Sequence, residues 1–155
     1  MKLLEEIKIG KRMSGLNLRT HGLKPSAIIE ASTMLYKVDF DRDLNYVCLS
    51  VRGAMNLSET RVCRGKLHEF LLAYNRSRIL VDTANVIVKL SASEDYKLIN
   101  ELRQVIPSYV SIALIVSRNR VPLGRFIETV AINNGIRLRT FTHKNEAAAW
   151  LMKQP

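Results

Sequence analysis

The residues best placed to do chemistry stand in a few short stretches. Ser91 and Ser93 flank Ala92 just ahead of an apolar stripe, Leu98, Ile99, Leu102, Val105 and Ile106, whose spacing predicts a helix. A serine there can accept a hydrogen bond from a backbone N–H that the first helical turn leaves unpaired, and Ser91 with Glu94 fits a capping box. The same hydroxyls are substrates for phosphorylation, and a phosphate of charge about −2 is electrostatically favoured at a helix N-terminus. Capping and modification are compatible, and both roles stay open for these two serines.

A second group is cationic. Ser117-Arg118-Asn119-Arg120-Val121-Pro122-Leu123-Gly124-Arg125 joins an apolar strand to a helix, so Arg118, Arg120 and Arg125 gather where backbone N–H groups also point outward. Such a place can hold a phosphate or carboxylate. Arg137, Arg139 and Lys144, at or beyond the following strand, are expected nearby. The competing reading is a solvated basic surface.

Other stretches imitate sites and lack the parts. Asp39-Phe40-Asp41-Arg42-Asp43 alternates carboxylates like the start of a calcium loop, but Leu44 stands where the turn glycine belongs and Ser50 where the bidentate glutamate belongs. A polar hairpin turn is expected instead. His21, His68 and His143 share no ligand spacing and read as surface or capping residues, while Cys48 and Cys63 read as small buried hydrophobes with no disulfide. No nucleophile elbow, phosphate loop or dinucleotide fingerprint is present. The expectation is a chain that is not an enzyme and needs no metal or cofactor.

The net charge is +10 over 155 residues. That permits nucleic acid, anionic lipid or an acidic protein as a partner. Nucleic acid is disfavoured, because Tyr36, Tyr46, Tyr74, Tyr96 and Tyr109 are spread over different elements instead of forming a stacking platform. With 47% apolar and 25% charged residues the composition is that of a globular domain. A chain of this length buries roughly 70% of its unfolded surface as one fold. No apolar run approaches the roughly 20 residues of a membrane span, so neither a transmembrane segment nor a secretory leader is expected, and a cytoplasmic location is.

Residues 1–32 carry glycines and scattered charge without periodicity and read as a flexible basic arm, in which Leu3 to Lys8 could form a turn or two of helix; residues 33–155 read as one domain. Met34 opens the ordered part so abruptly that translation is expected to start there or at Met13.

Alternation over Leu35–Phe40 and Tyr46–Arg52 predicts a β-hairpin. Asn56 to Glu59 starts a helix whose inner face is Cys63, Leu67, Phe70, Leu71 and Tyr74. Arg78–Asp82 is a short buried strand, followed by a loop from Asn85 to Ser93 and the second helix, which Pro107 ends. Val110–Val116 reads as the central strand. Pro122 and Asn134-Gly135 bracket a third helix, Ile136–Phe141 is a strand near the sheet edge, and Thr142 caps the last helix. The order is β-β-α-β-α-β-α-β-α: an α/β fold with a mixed, mostly parallel five-stranded sheet.

This order, with Tyr46-Val47-Cys48-Leu49-Ser50-Val51-Arg52-Gly53-Ala54-Met55-Asn56, Ile79-Leu80-Val81-Asp82, Arg139-Thr140-Phe141-Thr142 and Glu146-Ala147-Ala148-Ala149-Trp150-Leu151, resembles the STAS domain, the family of bacterial anti-sigma-factor antagonists and of sulphate-transporter tails. The ending looks closer to a branch of small uncharacterised bacterial proteins whose fold is compared with lipid-transfer domains of the CRAL-TRIO type. The resemblance implies a non-enzymatic regulatory module that binds a protein partner, a kinase or an anti-sigma-type regulator, through the start of the second helix and the loop before it. It also implies a serine at that helix start as the phosphorylated residue, a place that Ser91 and Ser93 occupy. The family's Asp-Ser-Ser-Gly-like run is absent, since Val88-Lys89-Leu90-Ser91-Ala92-Ser93 has neither the Asp nor the Gly. The alternatives carried beside it are a domain for an anionic small molecule or lipid headgroup at the basic loop, and non-specific nucleic-acid association through basic surface. Intact-mass measurement of the native protein checks the start site: a chain lacking the first 33 or 12 residues is expected, and one carrying all of them ends the idea.

Overall fold

The computed structural model describes residues 34–155, so the arm, the helical turn from Leu3, His21 and the candidate start at Met13 lie outside the described residues. The elements are β1 (Met34–Asp41), β2 (Tyr46–Met55), α1 (Leu57–Tyr74), β3 (Arg78–Val88), α2 (Ala92–Val105), β4 (Ser111–Ile115), α3 (Val121–Asn133), β5 (Arg137–Phe141) and α4 (Lys144–Met152), with a short 3-10 turn at Arg118–Arg120. The five strands form one sheet in the order β1-β2-β3-β4-β5. β1 and β2 are antiparallel, and the other three neighbouring pairs are parallel. The α/β class and the mixed, mostly parallel sheet are as the sequence predicts.

Local chemistry sets the boundaries. In the β1–β2 turn Asp41 Oδ1 accepts from the Leu44 N–H at 3.0 Å, so the acidic run closes a hairpin. Asn56 caps α1 by accepting from Glu59 N–H at 2.9 Å. Some expectations need correction. The last helix begins at Lys144 with His143 as its N-cap, and Thr142 binds no backbone N–H there; its hydroxyl meets His143 Nδ1 at 3.0 Å. The centre of the sheet is β3, not the apolar β4, which is buried throughout because helices cover both of its faces.

Strands that lie side by side in chain order, joined by right-handed crossovers, send every connecting helix to the same face. One core cluster accordingly joins Val38, Leu49, Ile79, Ile112 and Leu138 of the sheet to Cys63 and Leu67 of α1, Ile99 and Leu102 of α2, and Val130 and Ala131 of α3. The opposite face keeps a smaller cluster, Tyr46, Cys48, Leu80, Ala113 and Ile115, covered by Ala147 and Leu151 of α4. Arg78 ties the far end of that helix down, donating from Nε and Nη2 to the Gln154 carbonyl at 3.2 and 2.6 Å.

β3 runs to Val88, about twice the length expected. Its partner register jumps from Ser50↔Asp82 to Arg52↔Asn85, so β3 holds one residue more than β2, a bulge at Thr83 and Ala84. The bulge resets side-chain alternation. Before it Ile79, Val81 and Thr83 face the larger core; after it Val86 does, and Ile87 points outward at 57% exposure. Asn85–Val88 is therefore strand and not loop.

α3 approaches the sheet closely at Gly124, where an added Cβ would lie 2.5 Å from Thr140 Cγ2 and 3.3 Å from Val116 Cγ2, while Thr140 Oγ1 donates to Gly124 O at 2.9 Å. Gly124→Ala should thus destabilise by about 1–3 kcal/mol in chemical denaturation, despite alanine's better helix propensity. Adding Thr140→Ser, which removes the clashing methyl and keeps the hydroxyl, should recover most of that loss; equal costs in both backgrounds would show that the contact is not the cause.

Candidate functional site

The start of α2 is built as its sequence requires. Ser91 Oγ accepts from the Glu94 N–H at 3.2 Å, and Glu94 Oε2 accepts from the Ser91 N–H at 2.8 Å. That closed capping box uses the Ser91 hydroxyl, which also lies 3.1 Å from Glu94 Oε2. The Ser91 backbone N–H, and after it the hydroxyl, hold the Glu94 carboxyl below its ordinary range. Ser93 sits one residue inside the helix with an exposed side chain, touching Ser91 Oγ at 3.0 Å.

α2 is fastened to α1 by polar contacts that spacing alone did not point to. Arg61 grips Glu101 with both Nε (3.0 Å) and Nη2 (2.6 Å). Arg64 Nη1 donates to the Leu98 carbonyl, and His68 Nδ1 is in hydrogen-bond contact with the Val105 carbonyl. Residues 61, 64 and 68 are one stripe of α1, and their acceptors are one stripe of α2. His68 thus satisfies one of the orphan carbonyls at the end of a neighbouring helix. The only sequence signal was its place among polar residues beside the apolar stripe of α1.

Beneath these helices lies an apolar cavity of about 140 Å³ against the sheet, lined by residues including Leu49, Cys63, Leu67, Ile99 and Leu114, with Arg64 and Asp95 at its polar edge. Burial lowers the Arg64 guanidinium to about 10 and raises the Asp95 carboxyl. Burial also pushes the Cys63 thiol up to about 12 and raises that of Cys48, so neither is set up as a thiolate nucleophile. Both cysteines are free and buried, as expected.

The basic residues stand in four places. Arg120 is partly buried and held: its Nε donates to Ser117 Oγ at 2.9 Å and its Nη2 donates to the Thr83 carbonyl at the bulge. Arg118, two residues before it, is exposed. Arg125 and Arg139 line a polar cleft of about 190 Å³ with Thr140, Thr142 and Glu146. Arg125 also pairs with Glu128 at 3.1 Å, and Arg139 lies over the Phe141 ring at 5.7 Å. Arg137 belongs to the opposite end of β5, donating to Ser111 Oγ at 3.3 Å. Lys144 opens α4 and is exposed.

No family model and no curated protein matches the chain. Solved structures do. The fold is that of an anti-sigma factor antagonist from Mycobacterium paratuberculosis, at a TM-score of 0.55 and 10% identity over 77% of this chain and 95% of that one. An uncharacterized protein of the DUF3478 family with a SpoIIAA-like fold, from Shewanella loihica PV-4, gives 0.49 and 17% over 76% and 93%. The likeness to the first of these shows the fold alone. Among the described residues, no helix is long and apolar enough to cross a membrane.

Ser91→Ala should cost about 1 kcal/mol in urea denaturation at neutral pH, whereas Ser93→Ala should stay within about 0.5 kcal/mol. Because the folded state depresses the Glu94 pKa, its contribution is present above the unfolded value and lost as pH falls through the folded one. Glu94→Gln should therefore narrow its gap to wild type in acid; a gap that does not change with pH would mean that the carboxylate is not what closes the box.

Proposed function

We propose that this chain is a regulatory module that acts by binding another protein, using the surface formed by the outer part of β3 and the start of α2. The observation that carries the reading is the exposed serine pair at the α2 N-terminus, four residues along the chain from the outward-facing Ile87, on a fold whose solved neighbour is described as an anti-sigma factor antagonist. The reading is non-catalytic and signalling in kind. It is supported by thiols that burial keeps protonated and by histidines engaged with Val105 O and Thr142 Oγ1.

Between the two serines, the geometry favours Ser93 as the modifiable one. A phosphate on Ser91 would sit against the Glu94 carboxylate 3.1 Å away and open the capping box. On Ser93 the hydroxyl is exposed in the first turn, where the helix dipole favours negative charge. A second reading, an anionic ligand such as a lipid headgroup, rests on the cleft at Arg125 and Arg139. It is the weaker one, because Glu146 lines the same cleft and Glu128 already neutralises Arg125.

Capture by the tagged chain from its native lysate is expected to retain one stoichiometric protein through high-salt washing, and Ile87→Asp and Ser93→Asp are each expected to lose it. A mixture that elutes with salt, as phosphate-driven contacts do, would sink protein binding. A partner held equally well by both variants would sink this surface.

A further inference from the structure

β3 outruns its neighbour. β4 pairs with Arg78 to Asp82 and stops, while β3 continues to Val88 beside β2. Lys89 N–H donates to Met55 O at 3.0 Å, which points Ile87 and Lys89 toward β2. By strand alternation the N–H and C=O groups of Val86 and Val88 point to the other side, into the sheet position that β4 has vacated. Among the described residues, none bonds to them there. The Ala84 N–H is occupied by Asp82 Oδ1 at 3.0 Å and the Thr83 carbonyl by Arg120, so the bare edge begins just past the bulge.

The edge is flat in composition, Ala84-Asn85-Val86-Ile87-Val88, with no charge of its own. Such an edge is a template for another strand. Its surroundings are cationic. Exposed Arg52 on β2 is the register partner of Asn85, exposed Lys89 follows the strand, and exposed Arg118 stands on the turn that Arg120 fixes to Thr83. None of these three is paired with a described carboxylate.

We infer that this edge binds an extended acidic segment of the partner protein by strand addition, the segment taking the place beyond Ile115 that β4 leaves open. This rests on the protein-binding reading and names its mode. Charge chooses the occupant: residues 1–33 carry net +3, and a second copy of this chain would bring the same cationic rim to the edge. An acidic segment with alternating apolar residues meets both features. Its main chain pairs with Val86 and Val88, its apolar side chains continue the face of those two valines, and its carboxylates share the face of Ile87 and Lys89, with Arg118 adding to the cationic field.

The test uses the full chain, isotope-labelled, and two synthetic eight-residue probes, one alternating valine with glutamate and one alternating valine with lysine. The acidic probe is expected to slow hydrogen exchange at the Val86 and Val88 amides about tenfold or more, and the basic probe is expected to leave them unchanged. Val88→Pro removes an outward N–H while sparing the ladder to β2 and should weaken the acidic probe about tenfold. Arg118→Glu, which leaves the backbone edge intact, should weaken it as well and serves where the proline variant fails to fold. Amides already protected in the free chain, whether by residues 1–33 or by a dimer seen in sedimentation, would overturn the inference, as would probe binding that shifts only the Arg125 and Arg139 cleft. A native partner that Ile87→Asp loses and Val88→Pro keeps would overturn strand addition and leave the protein-binding reading standing; salt-sensitive capture of mixtures would remove that reading first.

Discussion

The hand of the parallel crossovers governs this molecule. Because β2, β3, β4 and β5 are neighbours in chain order, right-handed connections have only one face on which to place α1, α2 and α3. That face acquires the large core, and the helices on it must pack against each other as well as against the sheet. The Arg61, Arg64 and His68 contacts follow from that crowding: polar side chains that would be solvated on an isolated helix are pressed against the flank of α2 and find its carbonyls and Glu101. The other face is left to α4, nine residues whose buried anchors are Ala147 and Leu151. With less apolar surface available there, the sheet turns polar side chains such as Lys37, Asp39 and Ser50 to that side, and Lys37 pairs with Asp39 at 3.2 Å.

The bulge in β3 does the remaining positioning. One extra residue keeps Val86 in the core after Thr83 has already faced it, and it coincides with the end of β4 pairing at Asp82 and Ile115. The polar groups the bulge frees are satisfied locally, by Asp82 on the Ala84 N–H, by Ile115 O on the Thr83 hydroxyl and by Arg120 on the Thr83 carbonyl. Arg120, which sequence reasoning placed in an anion site, is thus part of the brace for a backbone irregularity, and burial lowers its pKa accordingly. The turn carrying Arg118 is fixed by the same brace.

Most of the fold was legible because its signals are local. Hairpin alternation, the Asn56 and Ser91 caps, Pro122 and Gly135 all act over a few residues, and those elements fall where expected. The outer half of β3 was not, since Asp82, Thr83, Ala84 and Asn85 include poor strand formers whose extended form is imposed by β2 alongside; Val86-Ile87-Val88, three β-branched residues in a row, was the signal that pointed the other way. The centre of the sheet was misplaced for a related reason. Continuous apolarity reports burial on both faces, which β4 has, and says nothing of how many strands lie to each side. The arginines were the least legible part: nearness along the chain at Arg118, Arg120 and Arg125, or in alternation at Arg137 and Arg139, does not decide which carbonyl or carboxylate each one meets after folding.

The serine pair and the bare edge are close along the chain, and the proposed modification and the proposed partner would draw on the same charges. Ser93 lies five residues beyond Val88, with Lys89 between them. A phosphate of charge about −2 in the first turn of α2 would draw on the same cations that an acidic segment needs, and would repel that segment's carboxylates. On this proposal modification and partner would compete for the same cations. Such a competition would be a physical route for the proposed phosphorylation switch in a chain that lacks the Asp-Ser-Ser-Gly-like run. What the switch needs is an exposed hydroxyl, a helix N-terminus that tolerates the charge and a cationic rim that the charge can neutralise, and these depend on where Ser93, α2 and Lys89 stand and not on that run of residues.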